Sequence, residues 1–262
     1  MAVWVSSPNV PMLTVAVRTF LTILSALVAT FVASISAWLV GTFRPSSPLI
    51  QRIIVEWSRA WLVPAGVDLT VVGREHVDPN TSYVVVANHR SNIDIMVCFA
   101  ALPIPIRFLA KAELFRVPVF AQAMRAIGIV EVDRKHTREL SIIETVNEQA
   151  QQVIERGHSL IIYPEGTRSR DGSPRTFKKG AFTMAVTAKM PVLPVTLDGT
   201  RNVWAPNRFW FHPGAVTVVI DPPIPTEGLD RGDVDALRVR VQDQILGHLQ
   251  RLGTDSPDLD KR

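Results

Sequence analysis

The longest apolar pattern in the chain comes first. Residues 19–43 (TFLTILSALVATFVASISAWLVGTF) carry no charged side chain, and a helix of about 25 residues at about 1.5 Å per residue can cross a hydrocarbon core of about 30 Å. A cleaved signal peptide is the poorer reading, because its apolar stretch runs for about 7–15 residues and only Arg18 supplies a positive flank here. The next stretch, residues 49–63, sets Ile50, Ile53, Ile54, Trp57 and Trp61 on one helical face and Gln51, Arg52, Glu56 and Arg59 on the other. That stripe suits a helix lying in the headgroup zone, where an indole buries its ring and keeps its N–H wet. A helix packed on the body of the protein shows the same stripe, but the uncharged run before it favours the membrane. Arg44, Arg52 and Arg59 follow the run and one Arg18 precedes it, a bias that places the rest of the chain on the cytoplasmic face. A spanning helix and a hairpin dipping into one leaflet both fit this hydropathy.

After Pro64 and Gly66 the pattern changes to short β-branched runs alternating with helical periodicity, which predicts an α/β domain. The strands are expected at 69–72, 83–87, 106–110, 129–132, 159–163, 192–197 and 216–220. Helical patterns fall at 93–102, 113–126, 137–156 and 181–189, with a closing amphipathic helix at 234–252. No repeat or interdomain linker follows Gly66. The organisation is therefore N-terminal membrane-anchoring helices in residues 1–64, one domain in 65–253, and a flexible tail in 254–262.

Composition narrows the class. With 47% hydrophobic and 20% charged residues, disorder is excluded as the main state. The single cysteine, Cys98, cannot form an intramolecular disulfide, and no Cys/His spacing fits a structural zinc site, so a reducing compartment suits the chain. Twenty-eight Lys and Arg against 24 Asp and Glu give a net charge of +4. That balance suits anionic surfaces or phosphorylated substrates, but it lacks the dense clustering of a nucleic-acid binder, so no nucleic-acid partner is expected.

No G-x-S-x-G, G-x-G-x-x-G or P-loop pattern is present, which argues against a serine-elbow hydrolase, a dinucleotide fold and a P-loop nucleotidase. What stands out is Asn88-His89-Arg90-Ser91-Asn92-Ile93-Asp94 after the apolar run YVVVA. On one straight helix, residues five apart sit about 140° from each other, so His89 and Asp94 can meet only across a turn that opens into a helix. In such a turn the aspartate fixes the imidazole tautomer and leaves Nε2 to take a proton from an attacking hydroxyl. The plainer alternative makes Asp94 a helix-start carboxylate and His89 a turn residue. A second signal, Tyr163-Pro164-Glu165-Gly166-Thr167-Arg168-Ser169, ends the strand SLIIY. Glycine permits close backbone approach, and a threonine hydroxyl, backbone N–H groups and an arginine fork are what a phosphate monoester asks for; Glu165 can hold the arginine or a glycerol hydroxyl. An ordinary polar turn has the same composition. A third signal, GIVEVDR at 128–134, delivers Asp133 and Arg134 at a strand end, where Arg134 either joins the phosphate site or makes a surface salt bridge. Val192-Leu193-Pro194-Val195 reads as structural or as the lining of an acyl-chain slot, and Lys111 ends the strand IRFLA as one more cation at the same sheet edge. Trp204, Phe209, Trp210 and Phe211 form either a membrane contact or a structural cluster.

These four blocks, in this order and rough spacing over about residues 67–224, resemble the glycerolipid acyltransferases, and most closely the 1-acylglycerol-3-phosphate acyltransferase family. The segments LAKAELFRVPVF and FKKGA are similar to the family's connecting stretches; Glu131 departs from its pattern, where an apolar residue is more usual. The resemblance implies a mixed, mostly parallel sheet flanked by helices, and makes 65–253 the acyltransferase domain. It implies His89 as general base with Asp94 as its orienting partner. Glu165, Gly166, Thr167 and Arg168 are implied as the acceptor-phosphate and glycerol site, with Arg134 and Lys111 as further phosphate contacts. The reaction implied is transfer of an acyl group from acyl-CoA or acyl-carrier protein to lysophosphatidic acid at a membrane, with no metal or redox cofactor. Two other readings stay open: a different acceptor (another lysophospholipid, lyso-ornithine lipid or glycerol 3-phosphate), or a non-catalytic module binding anionic membrane lipid.

Overall fold

The computed structural model describes residues 11–45, 47–132, 151–169 and 172–253. Helix α1 (Met12–Phe43) is continuous and longer than its uncharged stretch. Helix α2 (Pro48–Ala65) starts with Pro48 in its first turn, where a missing N–H costs nothing, and Ser47 caps it by accepting from the Leu49 N–H at 3.3 Å. It stops at Gly66, whose left-handed backbone (φ 75°) turns the chain into the first strand. The two helices pack side by side, and α1 also lies against a later helix of the body. Its inward seam is Val15, Thr19, Thr22, Ala26, Ser34, Ala37 and Gly41, spaced by threes and fours and multiples of them. These small residues let helices approach closely; a Cβ at Gly41 would sit 2.7 Å from that of Ala126. The opposite face exposes Leu13, Phe20, Leu24, Leu27, Phe31 and Phe43.

The tryptophans of α2 correct the headgroup expectation. Trp57 packs edge-on to Phe99 at 6.3 Å and donates its indole N–H to Thr30 Oγ1 at 2.9 Å, while Trp61 stacks on Trp204 at 5.9 Å. The stripe of α2 is turned onto the protein, and the lipid-like surface belongs to α1. Trp204 and Phe211 belong to the same aromatic cluster, with Phe211 fully buried, whereas Phe209 stands exposed.

The body holds strands β1 (Val67–Val72), β2 (Val84–Ala87), β3 (Ile106–Lys111), β4 (Val130–Val132), β5 (Ser159–Ile162), β6 (Val192–Asp198) and β7 (Gly214–Ile220), one for each expected run. Their spatial order is β1-β7-β6-β2-β5-β3-β4. The five strands from β6 to β4 are parallel; β7 joins β6 antiparallel and pairs with β1 in parallel. This is the mixed, mostly parallel sheet expected. Val84 pairs with Leu160 on one side and Val192 on the other, and both β2 and β6 are buried along their whole length, as continuous apolar runs covered on two faces should be. α2 and α3 (Asp94–Ala101) cover one face. α5 (Gly180–Thr187) and α7 (Val234–Leu252) cover the other, and the short α6 (Thr200–Val203) follows β6.

The helix expected at 113–126 is divided. A 3-10 turn at Ala112–Arg116 is followed by α4 (Phe120–Ile127), which packs on α1. Pro118 is the cause, since it lacks an N–H and disfavours helical backbone at Val117. Of the helix expected at 137–156, residues 151–155 are helical and 137–150 lie outside the described residues, as does the tail at 254–262.

Candidate active site

Parallel strands deliver their carboxyl ends to one edge of a sheet, and β2 and β5 are neighbours in register. The turn after β2 therefore stands beside the turn after β5. In the first turn Asn88 ties β2 to β6, donating from Nδ2 to the Leu197 carbonyl and accepting at Oδ1 from the Leu197 N–H, both at 2.8 Å. His89 comes next, 9% exposed. Asp94, fully buried at the start of α3, accepts three donors on Oδ2: His89 Nδ1 at 2.7 Å and the Arg90 and Ser91 N–H groups at 2.8 Å each. The two readings of this carboxylate are thus the same fact. It closes the turn before the helix, and in doing so fixes the imidazole with Nδ1 inward and Nε2 as the nitrogen left over.

The second turn interlocks with the first. Arg168 Nε donates to the Ser91 carbonyl at 3.1 Å, and the Ser169 N–H reaches the His89 carbonyl at 3.3 Å. Gly166 has a left-handed backbone (φ 73°), and a Cβ there would lie 2.7 Å from Lys178 Nζ, so the lysine rests over the glycine. His89, Gly166, Thr167, Arg168, Lys111 and Lys178 all line one cleft of about 1020 Å³. Its remaining walls are mainly apolar, among them Phe108, Leu109, Leu114, Ile154, Ile161 and Met184.

Glu165 sits differently from the expectation of a ligand contact. It is 5% exposed, faces away from the cleft lining, and accepts the His89 N–H on Oε1 at 2.9 Å. Burial raises its carboxyl to about 7, with nearby Asp94 pushing the same way and the His89 N–H, Arg90 and Arg175 opposing. One consequence concerns the tetrahedral oxyanion that an acyl transfer generates. The His89, Arg90 and Ser91 N–H groups are all turned inward, so that charge must find its donors elsewhere in the cleft.

Asp133 and Arg134 lie outside the described residues. Val192-Leu193-Pro194-Val195 is wholly buried in β6 and takes no part in the cleft. Sequence reasoning passed over two residues of the cleft. Tyr163 stacks on the imidazole with ring centres 4.2 Å apart, and its position at the end of SLIIY, the strand beside the one that leads into His89, was the available signal. Lys178 lies within the FKKGA segment, noted for its resemblance alone.

Chemically, the cleft joins a fixed imidazole, a group of cations and a long apolar lining. That combination can deprotonate a hydroxyl, hold a phosphate and accommodate hydrocarbon. A family model described as Acyltransferase matches residues 68–198. The chain is 34% identical over 190 residues to 1-acyl-sn-glycerol-3-phosphate acyltransferase alpha of Homo sapiens, covering 72% of this chain and 66% of that protein. It is 31% identical over 224 residues to the 1-acyl-sn-glycerol-3-phosphate acyltransferase of Saccharomyces cerevisiae, covering 85% and 72%. The crystal structure of the 1-acyl-sn-glycerophosphate (LPA) acyltransferase PlsC from Thermotoga maritima superposes with a TM-score of 0.72 at 26% identity, over 90% of this chain and 98% of that one. With the blocks in order, the fold matched and His89, paired to the buried Asp94, facing the cleft, the chain belongs to the 1-acylglycerol-3-phosphate acyltransferase family.

Proposed function

We propose that the protein transfers an acyl group from a thioester to the sn-2 hydroxyl of 1-acylglycerol 3-phosphate, giving phosphatidic acid for phospholipid synthesis. The observation that carries this reading is the 2.7 Å His89–Asp94 pair on a cleft with both cations and apolar walls. His89 Nε2 takes the hydroxyl proton as the oxygen attacks the thioester carbonyl. The tetrahedral oxyanion collapses, the C–S bond breaks, and the imidazolium returns its proton to the leaving thiolate. Asp94 keeps Nδ1–H in place and stabilises the imidazolium. Gly166, Thr167, Arg168 and Lys111 hold the acceptor phosphate, and Arg134 joins them by its place in the sequence block alone. Glu165 acts on the base through the His89 N–H rather than on the acceptor. The transfer calls for no metal or redox cofactor, and acyl-CoA or an acyl-carrier protein supplies the thioester as co-substrate.

The exposed apolar face of α1 makes the protein membrane-associated, and we infer that α1 lies in one leaflet rather than spanning. Thr19 near one end accepts from the Phe211 N–H at 3.0 Å, while Gly41 near the other end touches Ala126 of α4. About 33 Å of helix thus rests on a single body, and a spanning helix would draw that body into the lipid. The leaflet is the cytoplasmic one, assigned on the exposed Arg44, Arg52 and Arg59 and the unpaired thiol of Cys98.

The test is thiol release from oleoyl-CoA and palmitoyl-CoA by the detergent-solubilised protein, with and without 1-acylglycerol 3-phosphate, beside His89→Ala. Acceptor-dependent release that falls by about 10³-fold or more in the variant is expected. Release that is independent of acceptor, or equal in His89→Ala, overturns the reading.

A further inference from the structure

Helix α3 meets the catalytic turn twice. Asp94 in its first turn holds the imidazole by the edge. Cys98, four residues on and so on the same helical face, is fully buried and accepts the Tyr163 hydroxyl at 3.6 Å. The tyrosine ring that this contact anchors is stacked on His89, with centres 4.2 Å apart and planes 19° from parallel. Burial pushes the Tyr163 hydroxyl well above its ordinary value and the Cys98 thiol up to about 12, so both groups stay neutral and neither exchanges protons with the base. Tyr163 also lines the cleft beside His89. One helix therefore fixes the imidazole in two directions, in its plane through a carboxylate and against its face through an aromatic ring.

We propose that Tyr163 is a positioning residue for the base: its ring holds the plane of His89 and its π face favours the imidazolium that forms when His89 takes the acceptor's proton. The ring centre is well inside the distance of about 6 Å at which a cation feels an aromatic quadrupole, and the site is largely shielded from water. The ring does this work and the hydroxyl only anchors it to Cys98. The inference rests on His89 being the base.

The experiment compares Tyr163→Phe and Tyr163→Leu in the solubilised full chain, by thiol release across pH with both substrates varied. The phenylalanine variant keeps the ring, and its kcat should stay within about threefold of the wild type. In the leucine variant kcat should fall about 10- to 100-fold with both KM values within about threefold. The acid limb of its kcat/KM profile should move to lower pH, since the protonated base has lost a stabilising face. A shape-preserving series guards against misfolding of the leucine variant: phenylalanine, difluorophenylalanine and pentafluorophenylalanine at position 163 should move the acid limb down stepwise as the quadrupole weakens. A flat series, an unmoved limb in the leucine variant, or equal losses in the phenylalanine and leucine variants would each overturn the proposal. If His89→Ala keeps activity, the assignment of the base has failed instead; if it does not, Tyr163→Leu should add no further loss of kcat in the His89→Ala background.

Discussion

Strands β2 and β5 end side by side, yet their turns are built on opposite plans. After β2 the polar groups look inward: the Asn88 amide spans the Leu197 backbone, the His89 N–H is on Glu165, and the Arg90 and Ser91 N–H groups share one Asp94 oxygen with the imidazole. After β5 the turn looks outward, with Gly166, Thr167 and Arg168 on the cleft and Lys178 laid across the glycine. A base must be oriented before its substrate arrives, so its donors are best spent on the protein. A binding turn presents side chains to its ligand, here Thr167, Arg168 and Lys178 on the cleft, while the Gly166 N–H closes the turn on the Tyr163 carbonyl at 3.0 Å. The two turns are tied together by Arg168 Nε on the Ser91 carbonyl, the Ser169 N–H on the His89 carbonyl, and the His89 N–H on Glu165.

Breaking the closed turn should have the largest effect. Asp94→Asn removes the charge that stabilises the imidazolium and presents an amide where the imidazole and two N–H groups all need an acceptor. A fall in kcat of about 10³-fold and a loss of stability on the order of 2–3 kcal/mol are expected, read by thiol release and thermal unfolding. A kcat within tenfold of the wild type would mean that the closed turn does not hold the base. Arg168→Ala probes the open turn and should act on binding. KM for 1-acylglycerol 3-phosphate should rise about 10- to 100-fold, as loss of a charged hydrogen bond predicts, with kcat changed less. An acceptor lacking a phosphate monoester should show little difference between Arg168→Ala and wild type; an equal loss with both acceptors would place Arg168 in the structure of the turn instead.

The contrast between the turns also explains how much of the molecule was legible in the sequence. All seven strands and the closing helix α7 were readable, because central parallel strands are continuous apolar runs and α7 carries a regular apolar stripe. His89 and Asp94 were readable as a pair because residues five apart can meet only across a turn that opens into a helix, although a helix-start carboxylate beside a turn histidine has the same spacing and only the accompanying blocks favoured the dyad. Glu165 was harder. Its neighbours in the motif face the cleft, and nothing in Pro-Glu-Gly-Thr says that the carboxylate turns back to a backbone N–H 76 positions away. Tyr163 was hidden for the same reason, since its partners His89 and Cys98 are distant in sequence and become neighbours only through strand register and helix packing. Trp57 and Trp61 misled because an apolar stripe on a helix says that a face is covered without saying what covers it.

The smallest expected effect belongs to Glu165, the side chain through which the open turn reaches back to the closed one. Its carboxyl titrates at about 7 against an ordinary 4.5, because burial disfavours the charge more than Arg90, Arg175 and the His89 N–H favour it. Between those two values the folded protein holds a proton that the unfolded chain has released, so stability falls as pH rises from about 4.5 to about 7 and levels off above. Glu165→Gln keeps an oxygen for the His89 N–H and removes the ionisation. The variant should therefore gain on the wild type as pH rises through that window, by on the order of 2–3 kcal/mol, with kcat at neutral pH changed only a few-fold. Thermal unfolding at pH 5 and pH 8 reads the difference directly, and for a chain of this size it amounts to several degrees. A gap between variant and wild type that does not change with pH would mean that Glu165 ionises as an exposed carboxylate does. The inward plan would then end at Asp94 and not extend through Glu165 to the neighbouring turn.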